Sequence, residues 1–252
     1  MNLETFFQYH NHVALAFSGG VDSSYLLYQA VKCGADVRAY YVKSAFQPQF
    51  ELNDATQMAV VLGVEMQIIE LDVLSISAVT SNPADRCYHC KKAIFSQIAE
   101  HALADGYTTL LDGTNASDSV EDRPGMRALK ELSVLSPLRE CGLTKDQIRI
   151  LSKDAGLFTW NKPAYACLAT RIPSGTAITR EKLSATEYAE QYLSTLGFSD
   201  FRVRMYNTAA RIQIRTSELP LLLKNRDSIV HELKNYYDAV LLDLEVRDES
   251  IH

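Results

Sequence analysis

Apolar positions in the first 150 residues form two alternating kinds of segment. Short continuous runs rich in β-branched and aromatic residues, at 13–17, 37–42, 67–71 and 109–111, are separated by longer stretches with helical period at 21–30, 52–62 and 88–104. Strands buried on both faces read as continuous rather than alternating runs, so the pattern predicts an α/β fold with a parallel sheet covered by helices on each side. Punctuation agrees with it. Cys33-Gly34 and Gly63 close two of the helices, 134–135 adds a further short run, and Thr144-Lys145-Asp146-Gln147 is a capping-box signature opening a helix that Gly156 ends.

From Trp160 to Ile178 the period is lost, and two prolines and a glycine mark an ordered loop. A long helix ending near Gly197 follows, then strands at 201–206 and 211–215, two short helices and a strand at 240–244. The reading is therefore two domains: an α/β domain over 1–177, with the loop at its end, and a small α+β domain over 178–252.

Composition narrows the class. The 252 residues are 47% hydrophobic and 22% charged, enough for a sizeable core and too mixed for a disordered or fibrous chain. Net charge is −6, with 10 basic against 12 acidic residues from 178 onward and 15 against 19 before it. Proteins that neutralise nucleic-acid phosphates show a basic surplus, so a stable nucleic-acid partner is not expected. The N-terminus has no basic or apolar leader pattern and no stretch approaches eighteen apolar residues, which points to a cytoplasmic protein without a membrane partner. Five cysteines, an odd number, argue against a disulfide framework and leave the thiols for metal, redox or nucleophilic chemistry.

The most informative stretch is Ser18-Gly19-Gly20-Val21-Asp22-Ser23-Ser24, where the first strand turns into a helix. Two glycines let main-chain N–H groups approach an anion, and the helix start adds its dipole and unpaired donors. The loop has neither the lysine of a Walker loop nor dinucleotide-fold glycine spacing. It resembles the PP-loop of the N-type ATP pyrophosphatases, an adenine nucleotide alpha hydrolase-like fold whose members cleave ATP between the α and β phosphates. The resemblance implies that Ser18, Gly19, Gly20, Val21, Asp22 and Ser23 hold the pyrophosphate end, with Asp22 near Mg²⁺. It also implies that Asp112-Gly113-Thr114-Asn115-Ala116-Ser117-Asp118 is the second nucleotide loop, with Gly113, Thr114 and Asn115 at the ATP.

Two cysteine clusters narrow the resemblance. Cys87-Tyr88-His89-Cys90-Lys91-Lys92 opens a helix, and Cys167 lies in Cys167-Leu168-Ala169-Thr170-Arg171-Ile172-Pro173. With Asp122-Arg123-Pro124-Gly125 and Ser136-Pro137-Leu138-Arg139, these segments are similar to the LarE-type ATP-dependent sulfur transferases. That resemblance implies adenylation of a carboxylate of pyridinium-3,5-biscarboxylic acid mononucleotide, a nickel-pincer cofactor precursor, and its conversion to a thiocarboxylate. It also implies a homo-oligomer. In one branch the thiolate matching Cys167 attacks the adenylate and gives up its sulfur; Arg171 is placed to hold it ionised and stabilise the carbonyl charge. In the three-cysteine branch, which Cys87, Cys90 and Cys167 match, the thiols hold a [4Fe–4S] cluster with one open iron. On the residues alone, a C-x-x-C is equally a redox pair, part of a zinc site or two unligated thiols. Cys33 and Cys141 read as small space-filling residues.

Arg202-Val203-Arg204 and Arg211-Ile212-Gln213-Ile214-Arg215 alternate, so paired strands would gather four guanidinium groups on one face, a surface suited to phosphate or simply a charged exterior. The family resemblance implies that Arg202 and Arg204, with Glu190, form an anion site near the catalytic cysteine. Trp160 and Tyr165 either close over a nucleotide ring or pack internally. The expected activity is thus an ATP-dependent sulfur transferase; a tRNA thiolase, a non-catalytic nucleotide-binding module and an ammonia-using ligase are the rival readings.

Overall fold

A computed structural model describes residues 1–118 and 124–245. In chain order it contains α1 (Leu3–Tyr9), β1 (His12–Ala16), α2 (Val21–Lys32), β2 (Asp36–Lys43), α3 (Gln49–Leu62), β3 (Met66–Glu70), α4 (Ser77–Thr80), α5 (Arg86–Ala104) and β4 (Leu110–Leu111). There follow α6 (Pro124–Glu131), α7 (Pro137–Glu140), α8 (Lys145–Asp154), α9 (Arg180–Thr195), β5 (Arg202–Tyr206), β6 (Ala209–Gln213), α10 (Leu219–Lys224), α11 (Arg226–Leu233) and β7 (Val240–Leu242). Backbone proximity divides the chain into two compact units, one of Met1–Val73 with Asp85–Ala164 and one of Leu74–Ala84 with Tyr165–His252.

The first unit is built on a parallel sheet in the order β3-β2-β1-β4. Val13, Ala14 and Leu15 of β1 are all fully buried, which explains their unbroken apolar run. Val13 and Leu15 pack on one side with Phe6, Leu26, Met58 and Ile148, while Ala14 packs on the other with Tyr40, Phe95 and Ile98. Helices therefore cover both faces, and the turns at the carboxyl ends of the strands are where such a sheet receives ligands. Gly63, at φ 66°, caps α3 as the sequence pattern predicts. The expected run at 134–135 contributes a single parallel bridge, Leu135 to Leu111. Four helices escape the periodicity: α1, whose Leu3, Phe6 and Phe7 enter the core, and the short α4, α6 and α7.

The second unit packs α9 and α11 against a three-stranded sheet in which β5 and β6 are antiparallel and β6 and β7 parallel. Its core is Ala189, Leu193, Val203, Ile212 and Leu233. Residues 165–177, read from sequence as the end of the first domain, group here with this unit, together with the excursion 74–84. The reason is hydrogen bonding: Asn82, buried and at φ 55°, donates through Nδ2 to the Pro173 carbonyl (2.8 Å) and accepts from Gly175 N (2.8 Å). Ile178 N also donates to the Thr80 carbonyl. Among the described residues no helix is long and apolar enough to cross a membrane.

The capping box is present in both halves, Gln147 N donating to Thr144 Oγ1 and Thr144 N to Gln147 Oε1. Thr144→Ala is expected to lower stability by about 1 kcal/mol, read as a reduced denaturant midpoint at unchanged slope.

Candidate active site

The turn after β1 is shaped by one close approach. Gly19 has φ +70°, and a Cβ there would lie 2.8 Å from the Ala55 backbone on α3, so only glycine fits. Gly20 then begins α2 without any side-chain cap, and the first helical bond runs from Ser24 N to Gly20 O. The first N–H groups of α2 are left for a ligand, at the positive end of a 12-residue helix. Ser18 and Ser23 share a hydroxyl hydrogen bond of 3.0 Å, and Ser18 Oγ also accepts from Gly20 N.

A cavity of about 520 Å³ opens above this turn. Ser18, Gly20, Asp22 and Ser23 line it on one side, Asp112, Gly113, Thr114 and Asp118 on another, and Cys87, Lys91 and Phe95 of α5 on a third. Of the other predicted residues, Gly19 backs onto α3, Val21 is in the core and Asn115 is buried, its Oδ1 accepting from Ser117 N. Gly113 is required sterically, since a Cβ there would meet Ser23 N at 3.0 Å. The Ser136-Pro137-Leu138-Arg139 segment locks this loop from behind: Ser136 Oγ donates to Asp112 Oδ1 at 2.6 Å, and Arg139 Nη2 donates to the Asp118 carbonyl. Asp122 and Arg123, part of the expected motif, lie outside the described residues.

Asp22 is the electrostatic centre. Burial raises its pKa above the ordinary 3.8, opposed chiefly by Lys145, whose Nζ is 2.6 Å from Oδ2; the charge of Asp118 pushes it up further. Its other oxygen, Oδ1, is buried without a hydrogen-bond partner among the described residues. An orphaned carboxylate oxygen beside a second carboxylate fits a hard divalent cation such as Mg²⁺. Lys145 itself was not singled out from the sequence, because it sits inside the capping box and that role masked it.

The thiols divide between the two units. Cys87 is exposed on the cavity wall, with Arg86 Nη2 at 3.6 Å from its sulfur, and Cys90 is one turn further along α5. Among the described residues no three His, Cys, Asp or Glu side chains are grouped to hold a metal ion. All five cysteines are free. Burial pushes the Cys33 and Cys141 thiols up, and both pack against the first core, as space-filling residues do.

In the second unit Cys167 precedes a single 3-10 turn, Leu168–Arg171. Arg171, 1% exposed, donates from Nε and Nη2 to the two oxygens of Glu190, at 2.7 and 3.0 Å. Burial alone would lower its pKa, but the Glu190 hydrogen bonds and charge raise it, with Tyr165 and Cys167 adding to the rise. Glu190, 5% exposed, also accepts from Tyr165 Oη (2.5 Å) and Val203 N (2.9 Å). Its oxygens are thus engaged in holding this loop together. Tyr165 lies between the guanidinium groups of Arg171 (4.7 Å) and Arg202 (5.2 Å), and Arg204 donates to the Thr170 carbonyl, so both strand arginines face the cysteine turn. Trp160 instead lies under Lys153 at 4.8 Å.

The expected four-arginine face needs correction. Arg204 and Arg211 are register partners, but β6 ends at Gln213, and Arg215 turns away to Asp200 at 2.8 Å while Arg211 pairs with Asp243 at 3.3 Å. Two of the four charges are therefore spent on neighbouring carboxylates.

Comparison with known proteins agrees with this geometry. The family described as queuosine biosynthesis protein QueC matches residues 12–107, the stretch from β1 into the turn after α5. An uncharacterized protein of Synechocystis is 35% identical over 97% of this chain and 92% of its own length. The tRNA-specific 2-thiouridylase MnmA of Thermotoga petrophila is 25% identical over 60% of this chain and 54% of its own. The pyridinium-3,5-bisthiocarboxylic acid mononucleotide synthase of Lactiplantibacillus plantarum is 34% identical over 92% of this chain and 85% of its own. The chain belongs to the family of that synthase, the LarE-type branch of the PP-loop enzymes.

Proposed function

We propose that this chain uses ATP and Mg²⁺ to convert a carboxylate of pyridinium-3,5-biscarboxylic acid mononucleotide into a thiocarboxylate. The observation that carries the reading is the cavity lined by the uncapped helix start and by Asp22, whose Oδ1 is buried without a partner among the described residues. A carboxylate resists nucleophiles, so the first step is attack of a substrate oxygen on the α-phosphorus of ATP, with the bond to the bridging oxygen breaking and pyrophosphate leaving. The helix start, Ser18 and Ser23 receive the departing negative charge. Asp22, with Asp118, would hold the magnesium ion, which supplies charge neutralisation on the phosphates.

The mixed anhydride carries AMP as a leaving group, and a thiolate attacks its carbonyl carbon to displace it. Cys167 is the nucleophile in this reading. Arg171, kept cationic and fixed by Glu190, favours the thiolate beside it and opposes charge building on the carbonyl oxygen. Arg202 and Arg204, turned toward the same loop, bind the substrate phosphate, and Glu190 positions Arg171. Breaking the Cβ–Sγ bond then leaves the sulfur and its electron pair on the substrate, the Cα proton passing to a base. The three thiols Cys87, Cys90 and Cys167 suit a [4Fe–4S] cluster by donor type, and such a cluster would supply exchangeable sulfur. A tRNA substrate is disfavoured because two of the four strand arginines are already paired.

Incubated with labelled ATP and the biscarboxylic mononucleotide, the protein is expected to release pyrophosphate and AMP and form thiocarboxylate. Cys167→Ala should abolish the product while leaving ATP binding intact; adenylation of tRNA alone would end this reading. Magnesium binding requires ionised Asp22, and its raised pKa means protons compete as pH falls from higher values than for an ordinary carboxylate. The Mg²⁺ concentration giving half-maximal pyrophosphate release should therefore rise on acidification, and Asp22→Asn should remove that dependence along with most activity. Anaerobic purification discriminates the sulfur source: colourless protein that loses the mass of H₂S after one turnover is the outcome of Cys167 giving up its sulfur, and brown protein with about four irons per chain that of the cluster.

A further inference from the structure

Helix α8 carries two cations one turn apart, and they hold different things. Lys145 reaches Asp22 in the phosphate turn at 2.6 Å. Arg149 donates from Nη1 to the Trp160 carbonyl and from Nη2 to the Lys162 carbonyl, each at 2.9 Å. Residues four apart share a helix face, so one stiff element joins the buried carboxylate to the segment at 160–162. The charge of Arg149 is itself felt at Asp22, on the side that lowers its pKa.

A second tie reaches the same segment from the opposite side of the turn. Lys162 Nζ lies 2.6 Å from Asp54 Oδ2 and 3.4 Å from the Gly19 carbonyl. Asp54 immediately precedes Ala55, the residue whose backbone fills the space a Gly19 Cβ would need. The Lys162 tie therefore ends on the phosphate turn and on the helix wedged against it, and the Arg149 tie on α8, which also carries Lys145 to Asp22. Lys162 stands five residues before Cys167. A phosphate ligand arriving at Gly19 and Gly20 adds negative charge next to Lys162, and a cation at Asp22 competes with Lys145; each changes the balance of a tie.

Resting on the functional reading above, we infer that Arg149 and Lys162 are positioning residues that make the segment leading to Cys167 respond to occupancy of the phosphate turn, so that sulfur transfer follows adenylation. They touch neither reacting atom. Their part is to limit when the nucleophile's loop is held, which keeps a reactive thiol from engaging an unactivated carboxylate.

The test uses the full chain with Mg²⁺ and α,β-methylene-ATP, whose α–β link resists cleavage, and reads amide hydrogen exchange over residues 158–170. The analogue should slow exchange there in the unaltered protein. Arg149→Met and Lys162→Met should bind the analogue and, given ATP and substrate, still release pyrophosphate, yet lose the slowing. Thiocarboxylate formed per pyrophosphate released should fall roughly ten- to a hundredfold, the scale of a misplaced reacting group. Lys162→Arg, which keeps the cation, should restore both. Unaltered product per pyrophosphate in both Met variants overturns the inference, as does loss of pyrophosphate release together with product, which would put the residues in the nucleotide site itself. If Arg149→Met fails to fold, Lys162→Met decides alone. Absence of any pyrophosphate release by the unaltered protein would instead refute the functional reading, while the exchange measurement still judges the tie.

Discussion

The first unit is organised around an unmet demand for charge at the start of α2. Asp22 is half-buried, its Oδ1 is buried and without a partner among the described residues, and the helix it sits on has no side-chain cap. Burying an ionised carboxylate is costly unless it is paired or meets a cation, and here Lys145 offsets only part of that cost, since the pKa still stands above its ordinary value. The neighbouring elements are arranged to keep the demand in place. Ala55 presses on Gly19 from α3, Ser23 leaves room only for a glycine at 113, and Ser136 and Arg139 brace the second loop. A site left incomplete by its own residues is suited to a ligand that brings both phosphate and metal.

The second unit solves the opposite problem. Arg171 is as deeply buried as any core leucine, yet both its ends are satisfied, by Glu190 on one side and by the Ala166 carbonyl and Thr170 hydroxyl on the other. Buried ion pairs are weak contributors to stability, because desolvation removes much of what attraction supplies; their worth is geometric. The pair, with Tyr165 and Val203 N on the same carboxylate, leaves the turn after Cys167 a single arrangement. A nucleophilic thiol gains more from such definition than from added stability.

Phosphate affinity is distributed accordingly. Arg202 and Arg204 turn toward the cysteine loop while Arg211 and Arg215 are occupied by Asp243 and Asp200, so the acidic chain keeps a small focused positive site without a broad basic surface. Under the proposed function, charge this local suits a mononucleotide better than a polymer, for which binding grows with the number of phosphates neutralised.

Much of this was legible in the residues themselves. Continuous apolar runs announced a doubly covered sheet, Ser18-Gly19-Gly20 announced a tight turn opening a helix, and strand alternation put Arg202 and Arg204 together, because each rests on local backbone geometry that neighbours in sequence dictate. Chain-distant pairing was not legible. That Lys145 neutralises Asp22, that Glu190 is saturated by Arg171, Tyr165 and Val203, and that the 74–84 excursion joins the cysteine loop through Asn82 depend on contacts between residues 13 to 123 positions apart. Spacing predicts which face a side chain takes; only tertiary structure decides what is waiting there, and for a charge that partner is the difference between a structural tie and a site.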